Sequence, residues 1–186
     1  MFDLERFIDD CRRIATEQDA QKATRERVAE GIRDAREVLS ALGEPSAAGI
    51  QTLYRAADLT ILNVIWAPLM TLMPHNHNMW AVIGIYTGRE DNIFWRRRGK
   101  KIEAVGARAL CAGDAEPLGK DIVHSVTNPI ERFTGAIHIY GGDFFASDRS
   151  EWNPETLAEQ PFNFEKNMRL FQEANTRFRA SSGAKL

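Results

Sequence analysis

Hydrophobic positions along the chain follow two different spacings. Over 2–14, apolar residues recur at steps of three and four among charged residues, which predicts an amphipathic helix. The same spacing predicts a second helix over 24–42, which Gly43 ends. The helical spacing returns near the end of the chain and predicts a C-terminal helix over 163–178.

Between these helices the chain changes to short apolar and β-branched runs separated by turn residues. Six runs predict strands: 58–66, 79–86, 92–97, 102–110, 121–126 and 133–140. Many short strands without helices between them are typical of an antiparallel barrel or jelly roll. We therefore predict a mainly β protein with an N-terminal helical extension (1–50), a β-barrel (51–150) and a C-terminal helical segment (151–186), all in one structural domain.

Composition excludes several classes of function. The 186 residues are 44% hydrophobic and 27% charged, with a formal net charge of -2, so no basic field points to nucleic acid or to a membrane surface. The two cysteines, Cys11 and Cys111, do not form a disulfide framework. Because neither a secretory signal nor an apolar membrane span is evident, we expect a cytoplasmic protein.

The four histidines all lie between His75 and His138, and their placement predicts a metal site. His75 and His77 are two residues apart, so on a strand they point to the same face. His124 follows a glycine- and proline-rich turn at the start of a later strand. Three neutral imidazoles suit Fe(II), Zn, Ni or Cu and leave coordination positions open. The His-x-His pair alone fits a solvated strand face equally well, so the prediction depends on His124.

Two groups of residues resemble the two cupin motifs. They are His75-x-His77 with Gly88, and then Gly113, Pro117-x-Gly119 and His124-x-x-x-Asn128. The resemblance implies a cupin double-stranded β-helix (jelly-roll) barrel. A typical cupin also carries a metal-binding glutamate four or five residues after the second histidine, where this chain has Ala81 and Val82. Since Glu90 and Asp91 lie beyond the turn at Gly88, we expect no nearby acid to replace that glutamate.

A three-histidine cupin without the glutamate resembles the thiol dioxygenases, that is, cysteine dioxygenase and 3-mercaptopropionate dioxygenase. Those enzymes carry a Ser-x-His-x-Tyr run on the strand after the third ligand, and here the run is Ala136, His138 and Tyr140. The resemblance implies that Tyr140 donates a hydrogen bond at the metal and that His138 supports it. Some members cross-link the tyrosine to a cysteine near the metal, but Cys111 is far away in sequence, and we predict no cross-link.

The resemblance also implies an arginine that holds the substrate carboxylate, because a guanidinium matches a carboxylate with two parallel hydrogen bonds. Arg55 precedes the first motif and is the predicted anchor. Arg89 and the arginines at 96–98 are alternatives, and Arg55 would also suit a surface position over an apolar barrel end.

Together these features predict a mononuclear non-haem iron thiol dioxygenase, in which His75, His77 and His124 hold Fe(II). The same three residues could hold another divalent metal such as Zn or Ni instead. Its partners would be O₂ and a small thiol of the cysteine or 3-mercaptopropionate type, which becomes a sulfinic acid, and the chain would be a monomer or a homodimer. The absence of the serine at Ala136 favours one alternative, a cupin metalloenzyme acting on a non-thiol. A second alternative is a non-catalytic binding module, against which the presence of all three ligands argues.

Overall fold

The computed structural model describes residues 1–99 and 101–183, and strands dominate this part of the chain. Three helices precede the strands and one follows them: α1 (Leu4–Ile14), α2 (Ala20–Gly31), α3 (Ala35–Leu42) and α4 (Phe164–Gly183). No helix within the described ranges is both long and apolar enough to cross a membrane. The expectation of terminal helices around a mainly β protein is therefore confirmed.

Eleven strands within the described ranges form two antiparallel sheets. They are β1 (Gly49–Arg55), β2 (Thr60–Trp66), β3 (Thr71–Asn76), β4 (Ala81–Thr87), β5 (Arg89–Arg98), β6 (Lys101–Cys111), β7 (Ala115–Leu118), β8 (Val123–Thr127), β9 (Thr134–Tyr140), β10 (Ser150–Trp152) and β11 (Glu159–Pro161). One sheet has the order β1-β2-β9-β4-β7, and the other has the order β11-β10-β3-β8-β5-β6. The eight strands β2 to β9 thus make the two interlocked four-stranded halves of a jelly roll, which confirms the expected double-stranded β-helix.

The three central strands of the first sheet, β2, β9 and β4, are buried on both faces, which explains their nearly continuous apolar sequences. Ile61, Val82 and Ile139 lie in one cross-strand row and pack against the N-terminal helices. Their sequence neighbours Leu62 and Ile83 point the opposite way, into the space between the two sheets. Burial of such side chains stabilises the fold by about 2 kcal/mol each. The N-terminal helices therefore cover the outer face of this sheet, and its inner face points into the barrel interior, where the candidate site lies.

The N-terminal helices differ from the prediction of one helix over 24–42. The structure divides this region into α2 and α3, with a break at Ile32 to Asp34. The Asp34 side chain accepts a hydrogen bond of 3.0 Å from the backbone N–H of Arg36 and caps a new helix. The apolar spacing continues through the break because both helices pack on the same sheet, so spacing alone did not reveal the cap.

A buried acid ties α4 to the second sheet. Glu151, on β10, is fully buried and accepts hydrogen bonds from Lys166 Nζ (2.6 Å), Gln160 Nε2 (2.6 Å) and Asn167 Nδ2 (2.8 Å). Burial raises the pKa of Glu151, but these donors outweigh burial and hold the pKa below its ordinary value. Glu151 is paired with His75 across the sheet, so this contact fixes α4 beside the candidate site.

Candidate metal centre

The structure brings His75, His77 and His124 together inside the barrel. His75 lies near the end of β3, His77 follows that strand, and His124 lies on β8 directly opposite His75. All three side chains are buried, and one ring nitrogen from each lies within 4.8 Å of the others. Among the described residues, this group of possible metal ligands contains no carboxylate.

Hydrogen bonds to the other ring nitrogens orient two of the three imidazoles. His75 Nδ1 lies 3.0 Å from the carbonyl oxygen of Met73, and His124 Nδ1 lies 2.6 Å from Asn92 Oδ1. Because both partners only accept, each Nδ1 carries the proton and each Nε2 keeps its lone pair. His77 Nε2 lies 3.3 Å from His124 Nε2, and the buried Nδ1 of His77 has no partner within the described ranges.

Burial keeps these imidazoles neutral at physiological pH. It lowers the pKa of His75 to about 4 and, together with the neighbouring histidines, holds the pKa values of His77 and His124 well below the ordinary value. Neutral imidazole is the form that binds metal ions. Three convergent neutral nitrogens in a buried setting therefore fit a divalent ion of the Fe(II), Ni or Zn type.

The metal-free protein is expected to lose stability as the pH falls from about 6.5 to about 4. In this window the histidines of the unfolded chain bind protons that the buried imidazoles of the folded chain do not. The free energy of unfolding therefore decreases as the pH is lowered. The lowered pKa of His75, from 6.5 to about 4, corresponds to a loss on the order of 3 kcal/mol, complete near pH 4. Urea unfolding of chelator-treated protein at several pH values measures this loss, and an unchanged midpoint between pH 6.5 and pH 4.5 would contradict it.

His138 and Tyr140 lie on β9, next to the three histidines. His138 Nδ1 and the Tyr140 hydroxyl are 3.0 Å apart, and both side chains are buried. The Tyr140 ring packs edge-on against the His77 ring, with 5.0 Å between the ring centroids. Burial raises the pKa of Tyr140, so the side chain remains a neutral phenol that can donate one hydrogen bond.

The structure does not bring Arg55 to the histidines. Its half-exposed guanidinium forms two parallel hydrogen bonds with the carboxylate of Asp143 at 2.9 and 3.0 Å and lies over the Phe145 ring. Arg55 is not among the residues that line the cavity at the three histidines. The alternatives, Arg89 and the arginines at 96–98, also form ion pairs at the surface.

A different arginine, Arg149, is not itself a lining residue of that cavity but packs against Phe144 and Phe162, which form part of its wall. Its guanidinium is sandwiched between Phe144 and Phe162, with Cζ 3.9 and 4.1 Å from the ring centroids. Arg149 is 9% exposed, and its Nε and Nη1 atoms have no hydrogen-bond partner in the described part of the chain. Burial lowers its pKa to about 10, which leaves it charged at neutral pH, and its charge lowers the pKa values of His75 and His77. No sequence motif marks this position.

Sequence reasoning also missed an acid beside the site. Glu90 is fully buried and accepts hydrogen bonds from Trp66 Nε1 (2.8 Å) and Asn92 Nδ2 (3.0 Å). Its Oε2 atom lies 3.6 Å from His138 Nε2. Although Glu90 lies beyond the Gly88 turn in the sequence, it reaches the site because β5 runs back beside β8 and turns Glu90 and Asn92 inward. Glu90 is not one of the three convergent metal ligands.

The three histidines, His138 and Tyr140 line a small, mostly apolar cavity of about 30 Å³. Its walls are aliphatic and aromatic side chains from both sheets and from α4. Asn167, from α4, also lines the cavity, and its buried Oδ1 atom has no partner in the described ranges.

No protein-family model matches the chain. Solved structures of similar fold include protein BH2720 from Bacillus halodurans, at 13% identity and a TM-score of 0.49, covering 56% of this chain and 77% of that one. Another is an RmlC-like cupin family protein with a double-stranded β-helix fold from Methanocaldococcus jannaschii (8% identity, TM-score 0.46, 55% and 86% covered). A third is the DMSP lyase DddQ from Ruegeria pomeroyi, at 17% identity and a TM-score of 0.46, covering 59% of this chain and 53% of that one.

These likenesses concern the fold only. The strand order and the site themselves define the class: a cupin-type double-stranded β-helix with a candidate three-histidine metal centre inside the barrel.

Proposed function

We propose that this chain is a mononuclear non-haem iron thiol dioxygenase that converts a small thiol of the cysteine or 3-mercaptopropionate type to its sulfinic acid. The balanced reaction is RSH + O₂ → RSO₂H, in which sulfur is oxidised, O₂ is reduced and both oxygen atoms end on sulfur. One observation carries the proposal: three buried neutral imidazoles converge without a carboxylate, and the hydrogen-bonded His138–Tyr140 pair packs directly on one of them.

His75, His77 and His124 would hold the iron. Three nitrogen ligands leave open positions, as a catalytic centre needs and a closed structural site lacks. Iron(II) bound there would supply the coordination positions and the redox chemistry for joining O₂ to sulfur. The same donor set accepts Zn or Ni, so the choice of iron is part of the proposal rather than a property of the ligands.

The other side chains would bind and orient the thiol. Arg149, next to the cavity-wall residues Phe144 and Phe162, offers a buried cation with unpaired N–H groups, which suits the carboxylate of a small thiol acid. Tyr140 can donate a hydrogen bond toward negative charge that develops on sulfur or oxygen. The apolar walls exclude water, which strengthens both interactions and protects a reactive site from side reactions.

The test is metal analysis and O₂ uptake on protein purified without oxygen and supplied with Fe(II). We expect one iron per chain and the consumption of one O₂ per thiol with cysteine or 3-mercaptopropionate. Mass spectrometry should detect the sulfinic acid product. Cysteamine, which has no carboxylate, is the matched poor substrate. Stoichiometric iron without uptake on any of these thiols would overturn the proposed substrate class.

Two further measurements separate the alternatives. Thiolate ligation changes the electronic spectrum of the bound metal, so a spectrum unchanged by thiols would indicate an enzyme that acts on a non-thiol. A ligand that binds only the native state must raise the melting temperature. A melting temperature unchanged by Fe(II), Zn(II) and Ni(II) would indicate a binding module without metal.

A further inference from the structure

We propose that Glu90 is a positioning residue that sets the protonation pattern of two histidines at once, the metal ligand His124 and the supporting His138. The inference rests on the metal site of the proposed function, but not on the identity of the substrate or on thiol oxidation.

The first connection leads from Glu90 to the metal ligand. Glu90 Oε1 accepts from Asn92 Nδ2 at 3.0 Å, which fixes the Asn92 amide with its oxygen toward His124. Asn92 Oδ1 lies 2.6 Å from His124 Nδ1 and can only accept, so Nδ1 carries the proton. The Nε2 lone pair of His124 is then free to bind metal. Removing a hydrogen-bond partner of a metal ligand typically weakens metal affinity about 10–100-fold.

The second connection leads to the His138–Tyr140 pair. Glu90 Oε2 lies 3.6 Å from His138 Nε2, a buried atom with no hydrogen-bond partner within the described ranges. A carboxylate at this distance favours a proton on Nε2, which leaves His138 Nδ1 as an acceptor. Tyr140, whose hydroxyl is 3.0 Å from Nδ1, then donates to it. The Tyr140 hydroxyl is thereby held in one orientation above the site.

The surroundings of Glu90 support a positioning role over a role in stability. No lysine or arginine of the described ranges pairs with Glu90, although its side chain is fully buried. Trp66 Nε1, at 2.8 Å from Oε2, holds the carboxylate in place through a group that only donates. Burying a carboxylate without a cation is costly, and an apolar residue would fill the same space at lower cost. Ala136, on the same face of β9 as His138, offers no hydroxyl.

The decisive measurement is ¹⁵N–¹H correlation NMR of the histidine rings in Zn(II)-loaded protein, which reports the protonated nitrogen directly. In the unmodified chain we expect protons on Nδ1 of His124 and on Nε2 of His138. In Glu90→Gln, the amide oxygen must stay toward the Trp66 N–H, so the new NH₂ group faces Asn92 and forces that amide to turn. We expect about 10–100-fold weaker Zn(II) affinity, because His124 Nδ1 then faces an N–H donor, and a smaller excess of the His138 tautomer protonated on Nε2, because a neutral oxygen replaces the carboxylate oxygen near that atom.

The matched control is Asp91→Asn, which makes the same chemical change one residue away in a carboxylate paired with Arg89 at the surface. It should leave Zn(II) affinity and both tautomers unchanged. A proton on His138 Nδ1 in the unmodified chain would overturn the proposal without any variant. It would also be overturned if Glu90→Gln matched Asp91→Asn in both readouts. Neither readout needs turnover, so failure of the thiol activity would be seen separately.

Discussion

Replacing His77 by alanine is expected to abolish stoichiometric metal binding, with a dissociation constant raised by more than about 100-fold. His77 supplies one of three convergent nitrogens, and the loss of a direct ligand exceeds the effect of losing a group that only orients one. Thiol-dependent O₂ uptake should fall to background for the same reason. Metal titration and metal analysis measure the first effect, and an oxygen electrode measures the second.

Tyr140→Phe is the control for this result, because Tyr140 packs on the His77 ring but is not one of the convergent ligands. The variant removes only the hydroxyl that contacts His138, so metal content should remain at one per chain. Retention of stoichiometric, tightly bound metal by His77→Ala would show that the ion lies elsewhere. Loss of metal in both variants would indicate general disruption of the barrel, which circular dichroism and thermal unfolding detect.

Replacing Arg149 by leucine is expected to lower kcat/KM for thiols that carry a carboxylate by about 100-fold, mainly through KM. Truncating one member of a buried, hydrogen-bonded charge pair typically costs about 2–5 kcal/mol of binding free energy. The guanidinium is enclosed between two phenylalanine rings with unpaired N–H groups, so a bound carboxylate would meet little competition from water. Kinetics with cysteine, 3-mercaptopropionate and cysteamine test this, and cysteamine should be affected least.

Arg55→Leu is the matched control and also tests the anchor that the sequence predicted. Arg55 is half-exposed and already bound to Asp143, so its removal should change KM by less than about threefold, as expected for a surface ion pair. A large rise in KM for Arg55→Leu, with little change for Arg149→Leu, would establish Arg55 as the anchor and overturn the role proposed for Arg149. If each variant changed kcat/KM equally for all three thiols, neither arginine would bind the substrate carboxylate.

Local patterns determined most of the architecture. Runs of β-branched and apolar residues predicted the strands that became β2, β4, β5, β6, β8 and β9. The pattern is most continuous in β2, β4 and β9, because these strands are buried along almost their whole length. The segment at 115–118 was expected to be a turn but is strand β7. It tolerates Pro117 because it lies at the edge of its sheet, where the missing N–H is not needed. The sequence pattern did not predict four other strands. These are β1, the six-residue β3, which contains Pro74, and the three-residue strands β10 and β11.

The candidate ligands were accessible from the sequence for a similar reason. His75 and His77 are two residues apart, and the alternation of side chains along an extended chain already places them on one face. His124 and the His138–Tyr140 pair could be named as candidates because each lies in a short, local motif. Their approach to one point depends on the pairing of β3 with β8, which the jelly-roll order supplies.

The residues around the ligands were decided only by the tertiary structure. Glu90 is 34 residues before His124 in the chain, and it reaches the site because β5 is antiparallel to β8 and its alternate residues face inward. Arg149 and Arg55 look alike in the sequence, yet one is enclosed by two aromatic rings and the other is bound to a surface acid. Local patterns determine which face of a strand a side chain occupies, whereas burial and the choice of partner depend on segments far away in the chain.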